Sequence, residues 1–566
     1  MMDYDLTLTK TLTRAVEQFG HKEIVTKLDD GSYHRYTFED AYERICQLAH
    51  ALDEYGLERG DRVSVMAVNH YRHYELYYGP SCSGRSIHMT NHRLPEEHLI
   101  EIINEAEDRL LFVDPAFVET IESVADDLET VEQYVVLDDS VPETSLSPVT
   151  DYESFIGGHP TEYDWPDLDE ETECGICYTS GTTGLPKGAA YSHRGLYLLS
   201  MSYGAKDSFG VCEQDVILPV VPMFHVNGWC LPYSGTLYGS SFVLPGSHTD
   251  LESVEEMIRD EGVTLAAAVP TIWTEMATYI DENPAADIST LDRILTGGSS
   301  PPPAIMRRFE AEFDAPIIQG YGMTEASPHL VNTLVTTEVQ ELPEEEQYDL
   351  RTKPGQPTPG VELRLRDQNG DPVPHDGEST GEIQARSPWV IDEYFARPGA
   401  TQESFTEDVP RSEAAGELED SSSRRWFKTG DIGTIDEYGY LEVVDRLDDV
   451  IKSGGEWISS VELENELMAH EAVAEATVVS VDHERWQERP VAYVVTTDDV
   501  TEDDLRDHLL ERFPKWWLPD LFLFADDIPR TSTGKYDKQS LRTTFHDEHG
   551  SLPTDEATLE GTPEQD

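Results

Sequence analysis

The sequence predicts a layered α/β chain of more than one domain. Three observations carry that prediction. At 566 residues the chain exceeds what one hydrophobic core supports. Short apolar runs alternate with stretches of helical spacing, the pattern of strands interleaved with helices. Beyond Tyr440 the elements shorten, and a small α+β domain is expected to begin near Arg446.

Phe38 to Tyr55 has the apolar spacing of an amphipathic helix, and Asp61 to Val68 reads as a buried strand. A loop between two strands follows the apolar run Gly175-Ile176-Cys177. Strand-like runs recur at Asp215 to Val221, Thr264 to Val269, Ile294 to Thr296 and Pro316 to Gln319, separated by helical stretches such as Leu251 to Glu261. Ser404 to Arg425 is acidic and serine-rich and reads as an exposed insertion. Helices are expected at Ser460 to His470 and Asp503 to Phe513. The segment after Glu548 contains no lysine or arginine and is expected to be disordered.

Composition narrows the setting. Asp and Glu number 112 against 40 Lys and Arg, a formal charge of −72 spread along the whole chain, yet hydrophobic residues at 38% exclude a disordered polyanion. Lysine is scarce, with eleven against twenty-nine arginines. The pattern resembles that of halophile proteins, from cells with molar internal salt, where repulsion is screened within ~3 Å. No basic stripe offsets phosphate charge, so nucleic acid is not an expected partner. No apolar run approaches a membrane span; Val263 to Val269 is stopped by Pro270. Met1-Met2-Asp3-Tyr4-Asp5 is acidic where a secretory signal is basic and then apolar. Six cysteines in so long a chain do not form a disulfide framework, and a cytoplasmic protein is expected. Cys174 and Cys177 form a CxxC with no second pair nearby, which favours buried strand cysteines over metal or redox work.

The most informative stretch is Tyr178-Thr179-Ser180-Gly181-Thr182-Thr183-Gly184-Leu185-Pro186-Lys187-Gly188. Its glycines let backbone approach a ligand closely. Its N–H groups and hydroxyls are donors, and Lys187 adds a positive charge, so the loop suits polyphosphate. It is not a Walker A loop, because Gly188 stands where Ser or Thr should follow the lysine. Downstream, Gln319-Gly320-Tyr321-Gly322-Met323-Thr324-Glu325 sets an aromatic, a hydroxyl and a carboxylate in one short segment. Tyr321 could stack on a purine, and Glu325 could hold Mg²⁺, a cation that prefers oxygen ligands. Trp426-Phe427-Lys428-Thr429-Gly430-Asp431 ends in a carboxylate suited to ribose hydroxyls. Pro529-Arg530-Thr531-Ser532-Thr533-Gly534-Lys535 offers a lysine on a turn. Taken singly, each has a plain structural reading as core, solvated acid or surface charge.

Together and in this order, the motifs resemble the adenylate-forming superfamily of acyl-CoA synthetases, peptide-synthetase adenylation domains and luciferases. Pro222-Met223-Phe224-His225-Val226-Asn227-Gly228-Trp229, Ile451-Lys452-Ser453-Gly454-Gly455-Glu456-Trp457, Trp486 to Pro490 and Lys515-Trp516 are most similar to medium- and long-chain fatty acyl-CoA synthetases. The resemblance implies a large multi-subdomain N-terminal adenylate-forming domain over residues 1–445, a mobile C-terminal domain over 446–545 and an acidic tail over 546–566. It also implies ATP, Mg²⁺ and CoA as reaction partners.

By the same resemblance, Ser180, Gly181, Thr182, Thr183, Gly184 and Lys187 hold the β- and γ-phosphates, and Thr179 and Glu325 place Mg²⁺. Gly297, Gly298, Ser299 and Tyr321 line the adenine, and Gln319, Gly320, Gly322, Met323 and Thr324 complete the nucleotide motif. Asp431 and Arg446 contact the ribose, and Lys535 bridges the acyl carboxylate and the α-phosphate. His225 borders the acyl carboxylate, with a hydrogen-bonded core histidine as the plain alternative. Trp229 matches an indole that gates an alkyl tunnel, with a core tryptophan as its alternative. Asp448 marks a hinge. Some relatives carry lysine there, so only the hinge role transfers, and Lys452 becomes a candidate phosphate contact. Gly454, Gly455, Glu456 and Trp457 would form part of the pantetheine channel. An enzyme loading a phosphopantetheinyl carrier protein is the alternative reading, followed by a non-catalytic nucleotide-binding protein. The acyl chain length and the oligomeric state, a homodimer included, stay open.

Overall fold

The computed structural model describes residues 2, 4–179, 185–406, 425–453, 456–470, 472–483, 485–498, 500–525, 527–530 and 536–549. Ser180 to Gly184, Gly454, Gly455 and Lys535 therefore lie outside the described residues. So do most of the Ser404 to Arg425 insertion, the acidic tail beyond His549 and the side chain of Glu456.

Two large sheets and the helices around them build the first part of the chain. One has nine strands, in the order Gln356–Pro357, His329–Asn332, Ile317–Gly322, Arg293–Gly297, Leu265–Ala267, Val216–Pro219, Ser241–Leu244, Glu23–Lys27 and Tyr33–Thr37. Its centre is parallel, and antiparallel strands close both edges. The other has eight strands, in the order Tyr394–Phe395, Gly188–Ser192, Glu173–Tyr178, Ser86–Met89, Arg62–Met66, Leu110–Val113, Gln133–Val136 and Val149–Asp151. The largest core cluster joins Ile217, Phe242 and Leu265 of the first sheet to Val63, Ile87 and Cys177 of the second. Between them lie helices such as Leu8–Phe19, Phe38–Tyr55 and Tyr71–Cys82. Further helices cover the outer faces, Leu251–Glu261 and Pro270–Glu282 on one sheet and Glu96–Glu105 on the other. Parallel strands need both faces covered, and this layering supplies that.

The helix Tyr71–Cys82 is buried along its whole length, and three of its four tyrosine hydroxyls have a hydrogen-bond partner there. Tyr74 meets Thr236 Oγ1 at 2.7 Å, Tyr77 donates to the Met223 carbonyl at 2.6 Å, and Tyr78 donates to the Pro232 carbonyl at 3.1 Å.

A four-stranded antiparallel sheet follows, in the order Glu362–Arg366, Gly381–Arg386, Phe427–Ile435 and Leu441–Arg446. A five-stranded mixed sheet begins at Ile451–Ser453 and carries the helices Ser460–Ala469 and Glu502–Leu510. Asp445 joins the two parts. Its buried carboxylate accepts from Ser460 N at 2.6 Å and Ser460 Oγ at 2.7 Å.

The expected helices Phe38–Tyr55 and Leu251–Glu261 appear with the same ends. Thr37 caps the first in a capping box with Asp40, and Asp250 caps the second, as short polar residues do at N-termini. The run expected as a strand over Asp215 to Val221 is shorter, Val216–Pro219. Asp215 turns its carboxylate to Arg293 at 2.6 Å, and the Val220 and Val221 amides both bond the Ala267 carbonyl, leaving the ladder. The helix expected over Asp503 to Phe513 runs from Glu502 to Leu510, started by Thr501 and stopped ahead of Pro514. Cys174 and Cys177 are buried strand cysteines. No helix among the described residues is long and apolar enough to cross a membrane.

Candidate active site

The base of the Thr179–Gly188 loop is closed by its own first and last residues. Tyr178 pairs with Gly188 across antiparallel strands. Thr179 N donates to the Lys187 carbonyl at 2.9 Å, and Lys187 N donates to Thr179 Oγ1 at 3.1 Å. A Cβ on Gly188 would come within 2.8 Å of Ile176 Cδ1 and 3.1 Å of the Tyr178 ring. That contact explains why glycine stands where a Walker loop would carry a hydroxyl.

The second group forms at the C-terminal end of the nine-stranded sheet. The strand Ile317–Gly322 runs through Gln319, Gly320 and Tyr321, so the motif expected to follow a strand lies partly within one. Gly320 faces Gly297 in register. A Cβ on Gly297 would sit 3.0 Å from the Gly320 carbonyl oxygen and 3.5 Å from the Trp229 indole. On Gly322 it would lie 1.7 Å from the Pro328 carbonyl oxygen. Gly298 has φ +88° and is exposed with Ser299. Gln319 is buried and approaches Ser300 Oγ at 3.4 Å. Met323 N donates to the Pro328 carbonyl at 2.7 Å.

Thr324 and Glu325 are gripped from the other sheet. Tyr191 donates its hydroxyl to the Thr324 carbonyl at 2.8 Å, and Ile391 N donates to the Glu325 carbonyl at 2.9 Å. Tyr394 donates its hydroxyl to Glu325 Oε1 at 2.6 Å, and its ring centroid lies 5.2 Å from Lys187 Nζ. Lys187, Tyr394 and Glu325 thus form one chain of contacts.

Asp431 anchors the third group. It pairs in register with Arg446, whose Nε approaches Oδ1 at 2.9 Å, and Tyr321 donates its hydroxyl to Oδ2 at 2.5 Å. Burial, then the neighbouring Asp431 charge, raises the Tyr321 phenol well above its ordinary range, so it stays a donor. Asp431 chiefly raises the Arg446 pKa; Tyr321 and Glu325 also contribute. The phosphate-loop and Asp431 groups therefore share one electrostatic neighbourhood.

His225 and Trp229 bracket an unusual turn. Val226, Asn227, Gly228, Trp229 and Cys230 have φ of 46°, 54°, 55°, 54° and 61°, a left-handed run that costs non-glycine residues roughly 1–2 kcal/mol each. His225 is exposed, which sets aside the core-histidine reading, and Trp229 is half-buried against the core and Gly297.

The C-terminal candidates stand apart from these contacts. Lys452 N donates to Glu488 Oε2 at 2.7 Å, and Lys452 pairs with Trp457 across two short strands. The Asp448 carbonyl accepts from Arg542 at 2.9 Å, and Arg542 also pairs with Asp449 at 2.6 Å. Sequence reasoning did not single out Tyr191, Ile391 or Tyr394. Their partners lie 133, 66 and 69 residues away, respectively, and no local pattern announces such pairs.

The AMP-binding enzyme family matches residues 12–395, and the AMP-binding enzyme C-terminal domain matches 462–535. A long-chain-fatty-acid–CoA ligase of Thermus thermophilus is 44% identical over 97% of both chains. A medium-chain-fatty-acid–CoA ligase of Ectopseudomonas oleovorans is 36% identical over 97% of both. The crystal structure of an anthranilate CoA ligase in complex with anthranoyl-AMP has a TM-score of 0.78 at 24% identity, covering 96% of this chain and 98% of that one. At that identity the likeness speaks for the fold.

Proposed function

Because the chain belongs to the AMP-binding enzyme family, we propose that it is an ATP-dependent acid–thiol ligase, activating a medium- or long-chain fatty acid as acyl-AMP and passing the acyl group to CoA. The carrying observation is that one segment is held at both ends: Glu325 is bonded to Tyr394 beside Lys187, and Tyr321 is bonded to Asp431, the partner of Arg446. A lysine for phosphates and a carboxylate for a ribose thus flank the Tyr321 to Glu325 segment. The names of the two fatty-acid ligase relatives support the substrate class.

Mg²⁺ fits the donors at hand. The Thr179 hydroxyl and Glu325 carboxylate are hard oxygens, the donor type that Mg²⁺ prefers when substrate phosphates and waters supply its other ligands. Bound there, it would neutralise phosphate charge during displacement at the α-phosphorus.

The reaction brings two anions together, so the chain's work is positioning and charge neutralisation. The acyl carboxylate attacks the α-phosphorus and pyrophosphate leaves. Lys187 holds the departing phosphates, while Asp431 and Arg446 fix the ribose. Gly297, Gly298 and Ser299 line the purine beside Tyr321. His225 borders the acyl carboxylate. Lys535, outside the described residues, bridges the carboxylate and the α-phosphate. The C-terminal domain beyond Arg446 then turns about Asp448, replacing Lys535 with the Gly454-Gly455-Glu456-Trp457 segment. The CoA thiol attacks the mixed anhydride and AMP leaves. ATP and CoA as substrates point to work in the cytoplasm.

Pyrophosphate release and CoA thioester formation across straight-chain, branched and aryl acids test this reading. Each CH₂ buried contributes ~0.8 kcal/mol, so kcat/KM should rise about fourfold per carbon until the tunnel ends. Pyrophosphate release without any CoA thioester would refute CoA as the acceptor.

A further inference from the structure

We propose that Tyr394 is a positioning residue for adenylation, presenting Lys187 and Glu325 to the triphosphate as one unit. The inference rests on the adenylation reading above and assigns a role to a residue outside every motif that led to it. Tyr394 and Phe395 form a two-residue edge strand paired with Ala189 and Gly188, the residues that leave the phosphate loop. The Tyr394 side chain is therefore registered to that loop by main-chain hydrogen bonds. Its amide donates to Thr401 Oγ1 at 3.0 Å, fixing the strand from its other side.

From this position the side chain does two things. The ring face lies 5.2 Å from Lys187 Nζ, within the range where an aromatic quadrupole attracts an ammonium. The hydroxyl donates to Glu325 Oε1 at 2.6 Å, a short charge-assisted bond. The phenol holds Glu325 Oε1 on the side of Lys187. Tyr191, on the strand paired with that of Tyr394, donates to the Thr324 carbonyl at 2.8 Å, and Ile391 N donates to the Glu325 carbonyl at 2.9 Å. The backbone around Glu325 is thus already fixed, and the Tyr394 hydroxyl sets the remaining freedom of its side chain.

A purely structural role would also suit a buried tyrosine, so the test must separate the two. Tyr394→Phe keeps the ring and removes the hydroxyl. Binding of α,β-methylene ATP is measured by calorimetry in Mg²⁺ and again in EDTA, in the full-length protein and in a Glu325→Gln background. In Mg²⁺, Tyr394→Phe should weaken binding roughly tenfold, as loss of a hydrogen bond to a charged group does. In EDTA, or with Glu325→Gln, the same change should cost under about twofold, because residues acting through one another are not additive. Tyr394→Leu should weaken binding further in both media, since Lys187 then loses the ring as well. Equal losses from Tyr394→Phe in both backgrounds, or no loss in either, would overturn the proposal. Failure of the unmutated protein to release pyrophosphate with any acid would instead overturn the adenylation reading itself.

Discussion

Asp431 and Arg446 face one another across neighbouring antiparallel strands and meet at 2.9 Å, while the Tyr321 hydroxyl closes on the other Asp431 oxygen at 2.5 Å. Both carboxylate oxygens are oriented before any nucleotide arrives. Arg446 is about half exposed while Asp431 is buried, and the pair orients the carboxylate. Asp431→Ala should raise the KM for ATP by about ten- to a hundredfold, the worth of a charged hydrogen bond, and should also lower Tm, because the Tyr321 hydroxyl loses its acceptor. Tyr321→Phe should have a smaller effect in the same direction. Steady-state kinetics beside thermal melts check both.

Gly322 leaves no room for any side chain. An alanine Cβ there would lie 1.7 Å from the Pro328 carbonyl oxygen and 2.7 Å from its carbon, and both neighbours are backbone. Gly322→Ala should cost about 2–3 kcal/mol of stability through forced backbone shifts and lower adenylation more than tenfold by displacing Glu325. Circular dichroism melts and pyrophosphate release report the two effects separately. A variant with unchanged Tm and activity would contradict the assigned geometry.

Acid should unfold the chain partly through buried neutral histidines. Burial lowers His73, His193 and His329 to about 4. Each stays neutral in the folded state while its unfolded counterpart gains a proton below ~6.5. Between these values the unfolded state binds more protons, so stability falls as pH drops from about 6.5 toward 4 and is unaffected by these groups above it. At pH 5 each contributes a loss of about 2 kcal/mol. His329, bonded to Thr358 Oγ1 at 2.8 Å, is the one nearest the nucleotide strand. Urea titrations of His329→Gln should show a shallower pH dependence than the unmutated protein, with both curves converging at low pH.

How far these features were legible in the sequence depends on the range over which each is determined. Helix Phe38–Tyr55 was readable with its ends, because its cap residues Thr37 and Asp40 and the Gly56 that ends it lie within the segment. The motif residues Thr179, Lys187, Tyr321, Glu325 and Asp431 were readable because phosphate and ribose chemistry needs those types in short runs. The left-handed turn at Val226–Cys230 was not, since a β-branched residue gives no hint of positive φ. Tyr394 was missed for a different reason. Its meaning comes from pairing with Ala189 and bonding Glu325, contacts set by the tertiary fold rather than by neighbours in sequence.

Lys535 offers a sharp kinetic separation. If it bridges the carboxylate and the α-phosphate only in the first half-reaction, Lys535→Ala should lower adenylate formation by at least about a hundredfold. Conversion of supplied acyl-adenylate and CoA to thioester should then stay within about twofold, because the lysine has turned away. Equal losses in both steps would show that no such turn separates them.

The charge of −72 leads to a prediction about salt. At 10 mM ionic strength carboxylates repel over ~30 Å, so much of the molecule contributes, whereas near 1 M the range shrinks to ~3 Å. Folding concentrates these charges, so the repulsion opposes the compact state. Stability should therefore rise steeply with KCl at low concentration and flatten near molar salt once screening is complete. A salt acting by surface exclusion, such as ammonium sulfate, keeps stabilising beyond that point. Melts in KCl, choline chloride and ammonium sulfate separate the two effects. Equal curves for KCl and choline chloride, both saturating, identify screening; continued linear gains in KCl identify strengthened apolar burial instead. Full stability and activity in dilute buffer would show that the arginine-held carboxylates, such as Glu173 on Arg62 and Glu153 on Arg44, already offset the repulsion locally.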